Sequence, residues 1–167
     1  MSRNEEKLKE QVADFKAKGI KAQYAIADAY DTLQLQNAVI KLTAAPRNVD
    51  VLLYNAAAMK YKNSIDENTE DLVHDFKISV ANAFHCVKTP HKQLKETNGT
   101  ELFTGGGLAL QPNVQVGSLS LGKVALRNLT FQLHEVLKQD NIYVGILTSY
   151  NSIPAKSNMH SPKNLGR

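Results

Sequence analysis

The sequence predicts an α/β domain: a parallel sheet with helices on its faces. Two observations carry that reading. Stretches with apolar residues at helical spacing alternate with short apolar runs, the pattern of βαβ units. The run at 49–58, VDVLLYNAAA, is continuously apolar at its core rather than alternating, as in a strand covered on both faces.

Taken in order, Ser2 followed three residues later by Glu5 has capping-box form, and Leu8, Val12 and Phe15 then recur along one helical stripe that Gly19 stops. Residues 22–27 (AQYAIA) read as a short strand closed by Asp28. Leu35, Ala38, Val39 and Leu42 mark a second helix, broken before Pro46. After the strand in 49–58, residues 63–69 read as loop, and Leu72, Phe76, Val80, Ala83, Phe84 and Val87 trace a long helix toward Pro90. Leu102 and Phe103 form the core of a buried strand, a helix begins near Ser118, and 142–148 (IYVGILT) is the last strand. Four strands and four main helices result, with short connections.

Length and composition set bounds. A chain of 167 residues is one domain, and 43% hydrophobic with 22% charged residues suffices for a core. We divide it into a domain at 1–153 and a loose basic tail at 154–167. That tail holds Lys156, Lys163 and Arg167 without an acid, so the remainder, with 17 bases and 16 acids, is nearly neutral. No basic cluster with motif support points to nucleic acid. No run of about 18 apolar residues points to a membrane span. With no apolar leader and a single cysteine, Cys86, a cytoplasmic setting is expected.

The stretch at 100–130 (TELFTGGGLALQPNVQVGSLSLGKVALRNLT) carries the chemistry. Gly105, Gly106 and Gly107 close a strand, where the backbone turns sharply or something approaches closely. Lys123 lies near the start of the next helix. Ligands gather at carboxyl ends of strands in open α/β sheets, so this is either a small-molecule site or a tight turn beside a surface lysine. His74, His85, His91, His134 and His160 lack metal-ligand spacing, and no metal site is expected. There is no G-x-S-x-G elbow and no P-loop. The glycines do not complete G-x-G-x-x-G, because position 110 is leucine.

In this order the motifs resemble those of the short-chain dehydrogenase/reductase family, the Rossmann-fold NAD(P)-dependent oxidoreductases. VLLYNAA is similar to the strand ending in N-N-A-G, with Tyr54 for the first Asn, Asn55 and Ala56 kept, and Ala57 for the Gly. FKISVANAF lies where the family has a helix with a catalytic Asn, LFTGGG where a strand carries the catalytic Ser, and SLSLGKVALRNLT where the Tyr-x-x-x-Lys helix stands. The resemblance implies Lys123 as the catalytic lysine. It implies Arg3, Asp28, Asn55, Ala56, Ala57 and Lys123 as cofactor contacts, with NAD or NADP as cofactor and Arg3 favouring NADP through its 2′-phosphate. Arg3 and Asp28 also read simply as a solvated arginine at a helix start and an acid in a turn.

The departures are equally specific. The catalytic Tyr, Ser and Asn positions fall on Leu119, Gly106 and Ser79. A leucine exchanges no proton, so phenol-based acid–base chemistry is not available. The family's first strand and its glycine-rich pyrophosphate turn are not among these residues. The fold expected is therefore a truncated Rossmann-like parallel sheet. Two functions follow as alternatives. One is an oxidoreductase of small carbonyl or alcohol substrates, inactive as this chain. The other is a non-catalytic remnant that binds or self-associates. In the family's strand order 3-2-1-4-5-6, the four strands here correspond to 3, 4, 5 and 6. Residues 22–27 are then expected to slide in beside 51–55, and the remaining apolar surface to favour a homo-oligomer.

Overall fold

The computed structural model describes residues 1–44 and 48–150. The tail at 154–167 thus lies outside the described residues. Among them, three strands form one parallel sheet in the order β1-β2-β3: β1 (Val51–Tyr54), β2 (Thr100–Gly106) and β3 (Tyr143–Ser149). The expected Rossmann-like α/β architecture is present. Leu53 lies beside Leu102, and Leu102 beside Gly145, so β2 is paired on both sides and β1 on one.

The helices are α1 (Glu5–Ala17), α2 (Thr32–Thr43), α3 (Thr69–Phe76), α4 (Asn82–Lys88), α5 (His91–Thr97) and α6 (Gly117–Leu137). Local chemistry sets their ends. Asn4, not Ser2, caps α1, its side chain accepting from the Lys7 N–H at 2.9 Å. Ser2 is drawn away by a bridge to Ile26. Asp31 caps α2 through the Gln34 N–H, and Gly19, at φ +74°, takes the left-handed turn after α1. The long helix expected between Leu72 and Val87 is interrupted: α3 passes into α4 through a π turn at Lys77–Ala81. Such turns insert a residue and concentrate at functional sites. The buried Tyr54 hydroxyl donates to the Ile78 carbonyl in that turn at 2.5 Å.

One core joins these elements. Leu35, Ala38 and Val39 from α2, Ala83, Cys86 and Val87 from α4, Leu94 from α5, and Leu126, Leu133 and Leu137 from α6 pack on Tyr54, Phe103 and Val144. Burying a side chain such as Phe103 contributes roughly 1.5–3 kcal/mol. Alternation along the strands sends Val51, Leu53, Tyr143 and Leu147 to the other face of the sheet, where each is more than half exposed.

The sheet differs from expectation at 22–27. This segment forms no strand and does not pair with β1; its ladder is the single parallel bridge from Ile26 to Ser2, with the Ala27 N–H donating to the Ser2 carbonyl. Packing holds it instead. Ala25 and Ala27 are buried in the core with Leu35, Ala38 and Val39, and the Tyr24 hydroxyl donates to the Glu5 carboxylate at 3.0 Å. Those anchors keep the segment away from β1, so the predicted insertion beside 51–55 does not occur.

Candidate functional site

The carboxyl ends of β1 and β2 build the site. A cleft of about 730 Å³ separates the Ser2–Ile26 bridge from β1. Arg3, Asp28, Asn55, Ala56 and Ala57 all line it. Arg3 and Asp28 do not point independently at a ligand: their side chains approach to 3.6 Å as an ion pair. The cleft also contains Tyr30, Lys60, His74 and Asp75, none of which stood out in the sequence.

Lys123 reaches the same region through Thr104. Its ammonium donates to the Thr104 carbonyl at 2.6 Å, and the Thr104 hydroxyl donates to Asn55 Oδ1 at 2.6 Å. Burial holds the Lys123 amine below the ordinary lysine range. The glycines after Thr104 serve close approach rather than a sharp turn. A Cβ on Gly105 would meet Ile146 Cγ1 at 2.9 Å, and one on Gly107 would meet the Tyr150 ring at 2.8 Å. Gly106 is different, since a Cβ there meets only the Lys123 stem, at 3.7 Å.

The three substituted positions are all accounted for. Leu119 is buried in the first turns of α6. Ser79 sits in the π turn, where its hydroxyl accepts from the Ala58 N–H at 3.4 Å and its Cβ lies 3.0 Å from where a Cβ on Gly122 would be. That contact explains why α6 carries glycine one residue before Lys123. Gly106 offers no hydroxyl.

Beside Leu119, Ser118 belongs to a buried polar cluster. Its hydroxyl donates to Asp75 at 2.8 Å, and Asp75 also faces Lys60 at 3.3 Å and His74 Nδ1 at 3.1 Å. Burial alone would raise the Asp75 carboxyl; the bonds from His74, Ser118 and Lys60 outweigh it and hold the group below the usual carboxylate range. The cluster ties the loop after β1 to α3 and to the start of α6. Lys60 bridges onward to Asp71 at 2.8 Å. At the cleft mouth Tyr30 stacks on His74 at 4.4 Å, with the Lys77 ammonium 4.3 Å from the Tyr30 ring centroid. The only sequence signal for the cluster was an acid on the otherwise apolar face of α3.

Asp28, Arg3 and Asn55 suit the adenosine end of a dinucleotide, and Lys123 suits a ribose. No glycine-rich strand-to-helix turn among the described residues supplies N–H donors for the phosphates between them. Among the described residues no group of His, Cys, Asp or Glu is arranged to hold a metal ion, and no helix is long and apolar enough to cross a membrane.

Comparison with solved structures returns the same architecture. An alcohol dehydrogenase from the archaeon Thermococcus sibiricus, complexed with 5-hydroxy-NADP, superposes with a TM-score of 0.80 at 17% identity over 96% of this chain and 68% of its own. Acetoin dehydrogenase from Enterobacter cloacae gives 0.82 at 23% identity over 93% of this chain and 65% of its own. An apo short chain oxidoreductase from Pseudomonas aeruginosa PAO1, described as containing an atypical catalytic center, gives 0.80 at 18% identity over 87% and 57%. The chain therefore spans 57–68% of the length of these structures, and the likeness is one of fold. No curated protein matches the sequence. The family model for short chain dehydrogenases matches residues 1–160. With that match joined to a parallel Rossmann-like sheet, a cleft at its carboxyl ends and a lysine early in α6, the chain belongs to the short chain dehydrogenase family.

Proposed function

We propose that the cleft is the nicotinamide-dinucleotide and small-molecule site of a short chain dehydrogenase domain, and that this chain does not itself catalyse hydride transfer by the family's phenol–lysine route. Leu119 carries the reading: it stands one helical turn before Lys123 and cannot exchange a proton. Arg3, Asp28, Asn55, Ala56 and Ala57 would hold the cofactor, and Lys123 its ribose, in a small carbonyl or alcohol reaction. Arg3 favours NADP over NAD as a neighbour for a 2′-phosphate. The setting is cytoplasmic, and the division into a domain at 1–153 and a basic tail at 154–167 belongs to the same reading. The expected result is no turnover with NADH or NADPH over a panel of small carbonyls. Turnover by the unmodified chain clearly above that of Lys123→Ala would end this reading. The Pseudomonas structure's stated atypical center supports treating the fold as compatible with a different catalytic arrangement.

The alternative is a non-catalytic binding or self-associating domain, and one observation favours self-association. Val73 and Phe76 on α3, and Leu121, Val124 and Phe131 on α6, form exposed apolar stripes on two adjacent helices. Such a patch marks an association surface. We expect a homo-oligomer in sedimentation velocity, converted to monomer by Leu121→Glu with Val124→Lys. A monomeric parent chain at micromolar concentration would rule this out.

A further inference from the structure

We infer that the groove between α1 and α2 takes an extended acidic segment of another protein, which adds as a strand to residues 22–26. This goes beyond the dehydrogenase reading and does not rest on it.

Residues 22–26 run like a strand without a ladder. Burial alternates at their end, with Ala25 and Ala27 in the core and Ile26 half exposed between them, the period of extended chain. The bridge at Ile26 goes to Ser2, with the Ala27 N–H donating to the Ser2 carbonyl at 3.2 Å. Successive peptide groups of an extended chain point to opposite edges, so the N–H and C=O groups of Ala22, Tyr24 and Ile26 turn away from Ser2. Among the described residues none of these groups has a hydrogen-bond partner. A row of open amides along an edge is a template on which a peptide adds as a further strand.

The segment runs along a groove. Two adjoining hollows of about 700 and 750 Å³ follow it and share Val12, Ala22 and Gln23. Val12 gives α1 as one wall, and Gln34 and Asn37 give α2 as the other. Those two α2 residues lie on the opposite side of the helix from Thr32, whose hydroxyl donates to Asn82 of α4 at 2.8 Å, so the groove opens away from α4 and the core.

Charge selects the occupant. Lys16, Lys21 and Lys41 line the groove, and among the described residues no carboxylate pairs with them, unlike Lys9 and Lys18, which are held by Glu5 and Asp14. Glu5 is the acid on these walls, and it is already engaged by Lys9 at 3.1 Å and by the Tyr24 hydroxyl at 3.0 Å. Unpaired ammonium groups beside open amides fit a chain that alternates carboxylates with apolar side chains. Backbone pairing supplies the affinity and the lysines select the sign of the charge. A nucleic-acid strand would engage the lysines and leave the amides unpaired.

The test uses the full chain and a fluorescein-labelled peptide of roughly eight residues alternating valine with glutamate. Binding is read by anisotropy and backbone pairing by hydrogen exchange. The peptide should bind about tenfold or more tighter than its valine–lysine counterpart, slow exchange at the amides of Ala22, Tyr24 and Ile26, and lose that affinity when its own backbone is N-methylated. Lys16→Glu with Lys41→Glu, both on exposed side chains, should reverse the preference toward the valine–lysine peptide. Equal binding of the two peptides by the parent chain, unchanged exchange at 22–26 in the complex, or tighter binding of oligothymidylate than of the acidic peptide overturns the proposal. Protection of the same amides in the free chain that falls on dilution would show a second copy in the groove, and the proposal would fail.

Discussion

Replacing Glu101 by Gln should flatten the pH dependence of stability between pH 5 and pH 8, and replacing it by Leu should raise stability at pH 8 by about 3 kcal/mol. Glu101 is the second residue of β2, on the covered face and fully buried, and neither carboxylate oxygen has a hydrogen-bond partner. Burial pushes its pKa from 4.5 up to about 7. The direction of the linkage follows. The folded state holds the proton more tightly than the unfolded chain, so the stabilisation is complete below the unfolded value of 4.5 and is lost as pH rises through about 7. A shift of that size corresponds to about 3 kcal/mol. Cys86 shares the site, its thiol pushed up to about 11 by burial and by the Glu101 charge. Urea unfolding of parent and Glu101→Gln at several pH values measures the effect directly. The same slope in both proteins would show that Glu101 is solvated or paired in solution.

Asp75→Ala should lower stability by about 3 kcal/mol at pH 7, with Asp75→Asn falling between it and the parent. The carboxylate is 1% exposed and gathers Ser118, Lys60 and His74 from three different segments. Removing it leaves the Ser118 hydroxyl inside the protein without an acceptor and the Lys60 charge with Asp71 alone. Lys60 is partly exposed, which softens its share. The sign is opposite to that at Glu101. Here the folded pKa is held down, so the contribution is present above the unfolded value of 3.8 and disappears as pH falls through the folded one. The parent should therefore lose its advantage over Asp75→Ala in acid. A urea midpoint for Asp75→Ala within about 0.5 kcal/mol of the parent at pH 7 would mean the cluster is incidental to folding.

Both groups expose the limits of reading residues along a line. Glu101 looked like an ordinary charged residue at the start of a strand. It became an unpaired buried acid only because α4 and α6 close over that face of β2. Asp75 lies near the end of α3 on an otherwise apolar face, and its partners come from 15 residues before it and 43 residues after it. Tyr54, noted only as a replacement for asparagine, proves to bind a carbonyl in the π turn. In the same way, nothing local in 22–27 shows that Ala25 and Ala27 settle against α2 rather than in a ladder.

What the sequence determined by itself was periodic or contiguous. Helical stripes in α1, α2 and α6, the continuous apolar run of β1, the order of motifs and the place of Lys123 relative to Leu119 all follow from spacing along the chain, because backbone geometry converts spacing into faces. The tertiary structure alone decided which charges pair, which are stranded, and which strands meet. Those outcomes depend on desolvation and on contacts between segments far apart in sequence, and the free energy of burying one carboxylate changes sign with the partners that the fold brings to it.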